Sequence, residues 1–89
     1  MNLADIIASI AATFTTVAFI PQAILVWKTR NTVSISFLMY SVFISGLVLW
    51  TVYGFITWQW PIIIANIISF FIASSILWVK MENMRNGEK

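Results

Sequence analysis

Two uncharged side chains, the indole of Trp50 and the carboxamide of Asn66, are the groups in this chain best suited to hold a neutral polar molecule. An amide carries two donors and an acceptor, and an indole offers a flat apolar face. Together they fit a sugar: the C–H face of a pyranose lies on the ring while its hydroxyls exchange hydrogen bonds with the amide. Each also has a plainer use, Trp50 as packing and Asn66 as hydrogen-bonding glue between helices. Other chemistries lack their groups. The chain has no His and no Cys, so imidazole or thiolate catalysis and metal sites built on those ligands are excluded, and no cofactor is expected. Its three carboxylates, Asp5, Glu82 and Glu88, lie near the two ends of the chain, leaving no paired acids between them. Nothing in the sequence favours nucleic-acid binding.

The elements that must position these residues are membrane helices. Residues 31 to 79 carry no charged side chain, and 61% of the 89 residues are hydrophobic against 9% charged. A soluble domain of this size needs charges on every solvated face. The reading is an all-α integral membrane protein, a single domain of three transmembrane helices at about 4–27, 34–57 and 61–81, with 82–89 as a polar tail. Ser34 or Ser36 suits a helix start, and Pro61 suits the first turn of the third helix, where its missing N–H has no partner to lose. A cleavable leader would need basic residues before the first apolar segment, and the only charged side chain there is Asp5. Lys28 and Arg30 in the first loop, with Lys80, Arg85 and Lys89 after the third crossing, fall on one side of the membrane. By the positive-inside rule that side is cytoplasmic and the N-terminus lies outside, in a plasma membrane. Trp27 and Trp78 then sit at the inner interface and Trp58 and Trp60 at the outer one.

With that frame, Trp50 and Asn66 both lie about 5–10 Å below the outer interface. Met39, Phe43, Gly46, Trp50, Tyr53 and Thr57 recur at steps of three and four on one face of helix 2, either a path lining or a packing stripe. Pro21-Gln22 interrupts helix 1, because proline removes the hydrogen bond to the Val17 carbonyl; the result is a hinge or a static kink. Thr13, Thr15 and Thr16 are placed to satisfy freed carbonyls or to line a path. Ala8 with Ala12, and Ser69 with Ala73, are small pairs that let helices approach closely. Three helices are too few to surround a solute, so transport would require a parallel homodimer with its twofold axis along the membrane normal.

Phe19-Ile20-Pro21-Gln22, the loop from Lys28 to Ser36, Leu49-Trp50 with Tyr53-Gly54, and Pro61-Ile62-Ile63-Ile64-Ala65-Asn66 resemble the bacterial SemiSWEET sugar transporters, half-size relatives of SWEETs within the PQ-loop group. The resemblance covers all of the chain except the tail. It implies a parallel homodimer of three-helix bundles, with helix 3 packed between helices 1 and 2 and a central sugar pocket formed by Trp50 and Asn66 of both copies. It also implies alternating access, in which Pro21 and Gln22 work the cytoplasmic gate, Met39 and Phe43 narrow the path on that side, and Tyr53 belongs to the outer gate. One departure stands out. Close relatives often carry Arg and Asp where this chain has Thr57 and Gln59, so a charged outer latch is missing.

No carboxylate lies between Ile6 and Val79, and proton-coupled carriers usually need an intramembrane acid. The expectation is therefore a facilitator moving mono- or disaccharides such as glucose or sucrose down their gradient, with membrane lipid as its surroundings. The competing readings are a small holin-like pore, which would leak solutes without stereochemical preference, and an accessory subunit of a larger membrane complex.

Overall fold

The computed structural model describes residues 2–88; Met1 and Lys89, the latter counted above among the basic residues of the tail, lie outside the described residues. Three helices follow one another: α1 (Leu3–Thr29), α2 (Phe37–Thr57) and α3 (Trp60–Arg85). All three are long and apolar enough to cross a membrane. Their hydrophobic residues are distributed around the whole circumference, as expected for helices solvated by lipid rather than water.

Local chemistry sets each boundary. Asn2 caps α1 by accepting from the Asp5 N–H at 2.8 Å. At the other end Arg30 turns the chain with φ 57°, its N–H bonded to the Val26 carbonyl. Helix α2 starts later than expected from Ser34. The Ile35 N–H bonds the Thr32 carbonyl in a turn, Ile35 buries its side chain, and Ser36 is the residue that caps, accepting from Met39 N–H at 3.1 Å. Helix α3 runs past residue 81 to Arg85, and the residues beyond it fold back instead of forming a free tail. Proline stands in the first turn of α3, and α1 is helical without a break across Pro21.

Helix α3 packs against both α1 and α2, whose backbones do not approach each other. The Cα atoms span 49 × 23 × 14 Å. Ala23, Val26, Ile35, Tyr40, Leu47, Ala73, Ile76 and Val79 form the core cluster, most of it near the end that carries the α1–α2 loop, here termed the basic end. At the opposite, turn end, Trp58 joins α2 to α3 with φ 58°. Its ring stacks on Trp60 at 5.1 Å and leans on Phe55, which offsets the strain of a left-handed backbone on a bulky residue.

Candidate membrane-path site

A tight contact between α2 and α3 fixes the relative depth of the two candidate binding residues. Gly54 is buried against Ile63, and a Cβ added there would meet the Ile63 side chain at 2.9 Å. The chain reverses between α2 and α3, so moving inward from that contact means counting down α2 and up α3. Trp50 lies four residues, about 6 Å, below Gly54, and Asn66 three residues, about 4.5 Å, below Ile63. The two side chains are therefore level to within about one residue rise.

Their azimuth follows from the neighbours of α3. Ile63 faces α2, and Ser69 faces α1, its hydroxyl 3.3 Å from that of Thr16. Asn66 falls midway between them, about 60° around the helix from each, and so looks into the notch between α1 and α2. The far side of α3 carries the exposed Ile64, Ile67, Phe71 and Trp78. Asn66 donates one amide hydrogen to the Ile62 carbonyl at 2.7 Å, and among the described residues nothing donates to its Oδ1. Trp50 is 55% exposed, with its ring edge-on to Tyr53 at 5.4 Å and 82°. An open recess of 400 Å³ beside it is lined by Gly46, Leu49, Trp50 and Tyr53, all from α2, and Asn66 does not reach it. One copy thus offers the indole and the amide at one level without enclosing a site. A second recess of 470 Å³ lies between α1 and α3 around Thr13, Thr16, Ile64 and Ile68, turned away from Asn66.

Nearer the basic end, side chains of α1 and α2 meet across the notch. The Tyr40 hydroxyl donates a short hydrogen bond to the Gln22 amide oxygen, and Phe19 stacks on Phe43 with centroids 5.2 Å apart. The structure therefore brings together Gln22 and Phe43, two of the residues singled out by sequence, and adds Tyr40 and Phe19. Tyr40 had a signal that sequence reasoning passed over: a glutamine inside a spanning helix needs a partner of similar depth on a neighbour. Met39 is exposed and takes no part in this bridge. At the turn end the Thr57 hydroxyl donates to the Tyr53 carbonyl of its own helix at 2.8 Å, and Gln59 makes no side-chain cap to α3. The uncharged pair leaves Tyr53 as the bulky group above Trp50.

An α1–α3–α2 arrangement of apolar helices long enough to span a membrane defines a three-helix integral membrane unit. Residues 3–63 match the family model of the PQ loop repeat. Among the relatives, the sugar transporter SemiSWEET of Escherichia coli is 43% identical over 84% of this chain and 84% of its own length. That of Leptospira biflexa is 43% identical over 86% of this chain and 91% of its own length. That of Bradyrhizobium diazoefficiens is 42% identical over 89% and 92%. The crystal structure of a SemiSWEET in the inward-open conformation superposes with a TM-score of 0.87 at 38% identity, covering 97% of this chain and 92% of that one. A bacterial homologue of SWEET transporters superposes at 0.82 with 34% identity, covering 91% and 98%. The chain belongs to the PQ-loop family, in its SemiSWEET branch.

Proposed function

We propose that this chain is one half of a facilitative sugar carrier that works as a parallel homodimer. The observation that carries the reading is the placement of Trp50 and Asn66 at one depth, with Asn66 facing an uncharged notch, in a three-helix unit whose recess beside Trp50 does not include Asn66. The recess beside Trp50 is lined by α2 alone, so one copy does not close a pocket around both residues. Two copies facing each other across a twofold axis supply two indoles and two amides around one pocket. A pyranose lies with its C–H face on an indole, and its hydroxyls donate to the free Oδ1 of Asn66 and accept from its remaining amide hydrogen. The relatives named as sugar transporters support sugar as the cargo class.

Alternating access then needs gates on either side of the pocket. Tyr53 stands on the turn side of Trp50, and the Gln22–Tyr40 and Phe19–Phe43 bridges stand on the basic side. Pro21 adjoins the second gate, where the missing main-chain hydrogen bond lowers the resistance of α1 to bending. The basic end is placed in the cytoplasm by the positive-inside rule, in the plasma membrane of a bacterium. Transport is uncoupled to protons, because no carboxylate lies between Ile6 and Val79 that could carry one across.

Uptake of labelled glucose and sucrose into liposomes containing the purified protein tests this reading, with L-glucose and a released dye as controls. Saturable uptake that excludes L-glucose, retains the dye and ignores an imposed pH gradient is the expected result. Equal passage of L-glucose and dye means a pore. No uptake by folded, dimeric protein means an accessory subunit.

A further inference from the structure

Lys80 is 2% exposed, although an ammonium group leaves water only at a large cost unless it is paired. Its surroundings supply the pairing. The Nζ donates to the Thr32 carbonyl at 3.0 Å and to the carboxylate of Glu88. Glu88 reaches it because the chain reverses after α3: Asn86 ends the helix, Gly87 adopts φ 109°, and the Glu88 N–H bonds the Asn83 carbonyl at 2.8 Å. A side chain other than hydrogen is strained at that φ, so Gly87 makes the return possible.

The same network captures the α1–α2 loop. Thr32 is fully buried, its hydroxyl donating to Glu88 at 3.0 Å and accepting from Asn83 Nδ2 at 2.8 Å. Asn83 also donates to the Arg30 carbonyl at 2.8 Å, and the Arg30 guanidinium pairs with Glu82, which lies between it and Arg85. Hydrogen bonding from Lys80, the largest influence, holds the Glu88 carboxyl below its ordinary range. The first half of α1 is different. No residue before Thr16 in α1 is buried, and its side-chain ties to α3 are the long contacts of Thr16, at 3.3 Å to Ser69 and 3.5 Å to the Ala65 carbonyl.

We infer that Lys80, Glu88, Asn83 and Thr32 are positioning residues that clamp the α1–α2 loop to α3, so that the basic end of each copy holds together as one block during the bending at Pro21 that the carrier reading already includes. The inference rests on the carrier reading and adds which part moves. The last turns of α1, the loop, the start of α2 and the end of α3 keep their mutual distances through the cycle. Sugar-dependent movement occurs between this block and the first half of α1, and between the blocks of the two copies. Because Gln22 and Tyr40 both belong to the block, loosening the clamp disturbs the gate they form and leaves the Trp50 and Asn66 pocket intact.

The chain has no cysteine, so spin labels at V33C and M84C attach without background. Both native residues are exposed, on the loop and on α3. The test uses the homodimer in liposomes, with labelled protein diluted in unlabelled protein so that both labels report on one copy. The expected distance distribution is narrow and unchanged by saturating glucose. In K80M/E88Q, which removes both charges together and spares the fold an unpaired buried ion, the distribution broadens. Its maximal uptake rate falls about tenfold while half-saturation stays within about twofold. E88D, with Lys80 in place, keeps most of the wild-type rate, because it keeps the charge pair. A double variant with the narrow distribution and the full rate overturns the clamp, as does a wild-type distance that shifts with sugar. If the wild-type protein moves no sugar, the carrier reading falls, and the distances with and without both charges still decide whether the clamp exists.

Discussion

Replacing Gly54 by alanine tests the register that sets the depth of the site. The new Cβ would stand 2.9 Å from Ile63 Cγ1 and 3.3 Å from Ile62 Cγ2, about 0.5 Å inside ordinary van der Waals contact with the first of these. Either Ile63 leaves its rotamer or α2 and α3 separate, and overpacking of this kind costs about 1–3 kcal/mol. Alanine recovers about 1 kcal/mol through its better helix propensity, leaving a net loss of about 1 kcal/mol. Valine adds bulk at the same contact and lacks most of that recovery, so its net loss is about 3 kcal/mol. Gly46 is the control. Nothing lies within 4 Å of a Cβ built there, so Gly46→Ala is expected to be neutral or stabilising. Gly46 nevertheless lines the recess beside Trp50, and the added methyl should raise half-saturation for sugar. Thermal unfolding in detergent, followed by tryptophan fluorescence, ranks the variants, and liposome uptake separates stability from transport. Gly54→Val as stable as Gly46→Ala would refute the close contact and the depth derived from it.

Removing the Tyr40 hydroxyl with Tyr40→Phe leaves the Gln22 oxygen without its donor and should cost about 1 kcal/mol; from the gate role proposed above for this bond, uptake is expected to change in rate more than in half-saturation, which a concentration series measures. Thr16→Val removes the polar tie from α1 to Ser69 and the Ala65 carbonyl, for a loss of about 0.6 kcal/mol in detergent unfolding. Acid should weaken the basic end. The folded carboxyl of Glu88 lies below its ordinary value of 4.5, so its stabilisation is fully present above that value and is lost as pH falls through the lower folded value. Melting should therefore be level from about pH 7 to 5 and fall below the ordinary carboxylate range, and Glu88→Gln should flatten that acid limb.

The number and kind of helices were legible because an uncharged run longer than one crossing has to be divided, and Pro61 marks where. The depth of Trp50 and Asn66 was legible for the same reason that any helix is a ruler: its rise per residue is fixed. That Asn66 looks into the notch was not derivable from its own helix, since it depends on α3 lying between its neighbours, an order that the family resemblance implied and the fold displays. Tyr40 escaped notice because it stands beside the aromatic stripe of α2, and only its contact with Gln22 gives it significance. The folded-back segment escaped for a different reason. Met81 to Glu88 reads as a solvated polar tail because lysine and glutamate are seldom buried, yet Gly87 lets Glu88 return to Lys80, and the half-buried carboxylate pairs with the buried ammonium. The beginning of α2 was displaced for the same kind of reason, since the turn at Thr32 and the burial of Ile35 decide between two serines that local preference leaves equal.

The central claim is that Trp50 and Asn66 hold the sugar, and it is tested most directly by saturable D-glucose uptake into liposomes by Trp50→Ala and Asn66→Ala beside the unmutated protein. Both side chains are outside the buried core, so both variants should fold and dimerise. The account predicts that each loses stereoselective uptake. Uptake with unchanged half-saturation in both variants would contradict it and place the sugar elsewhere along the path.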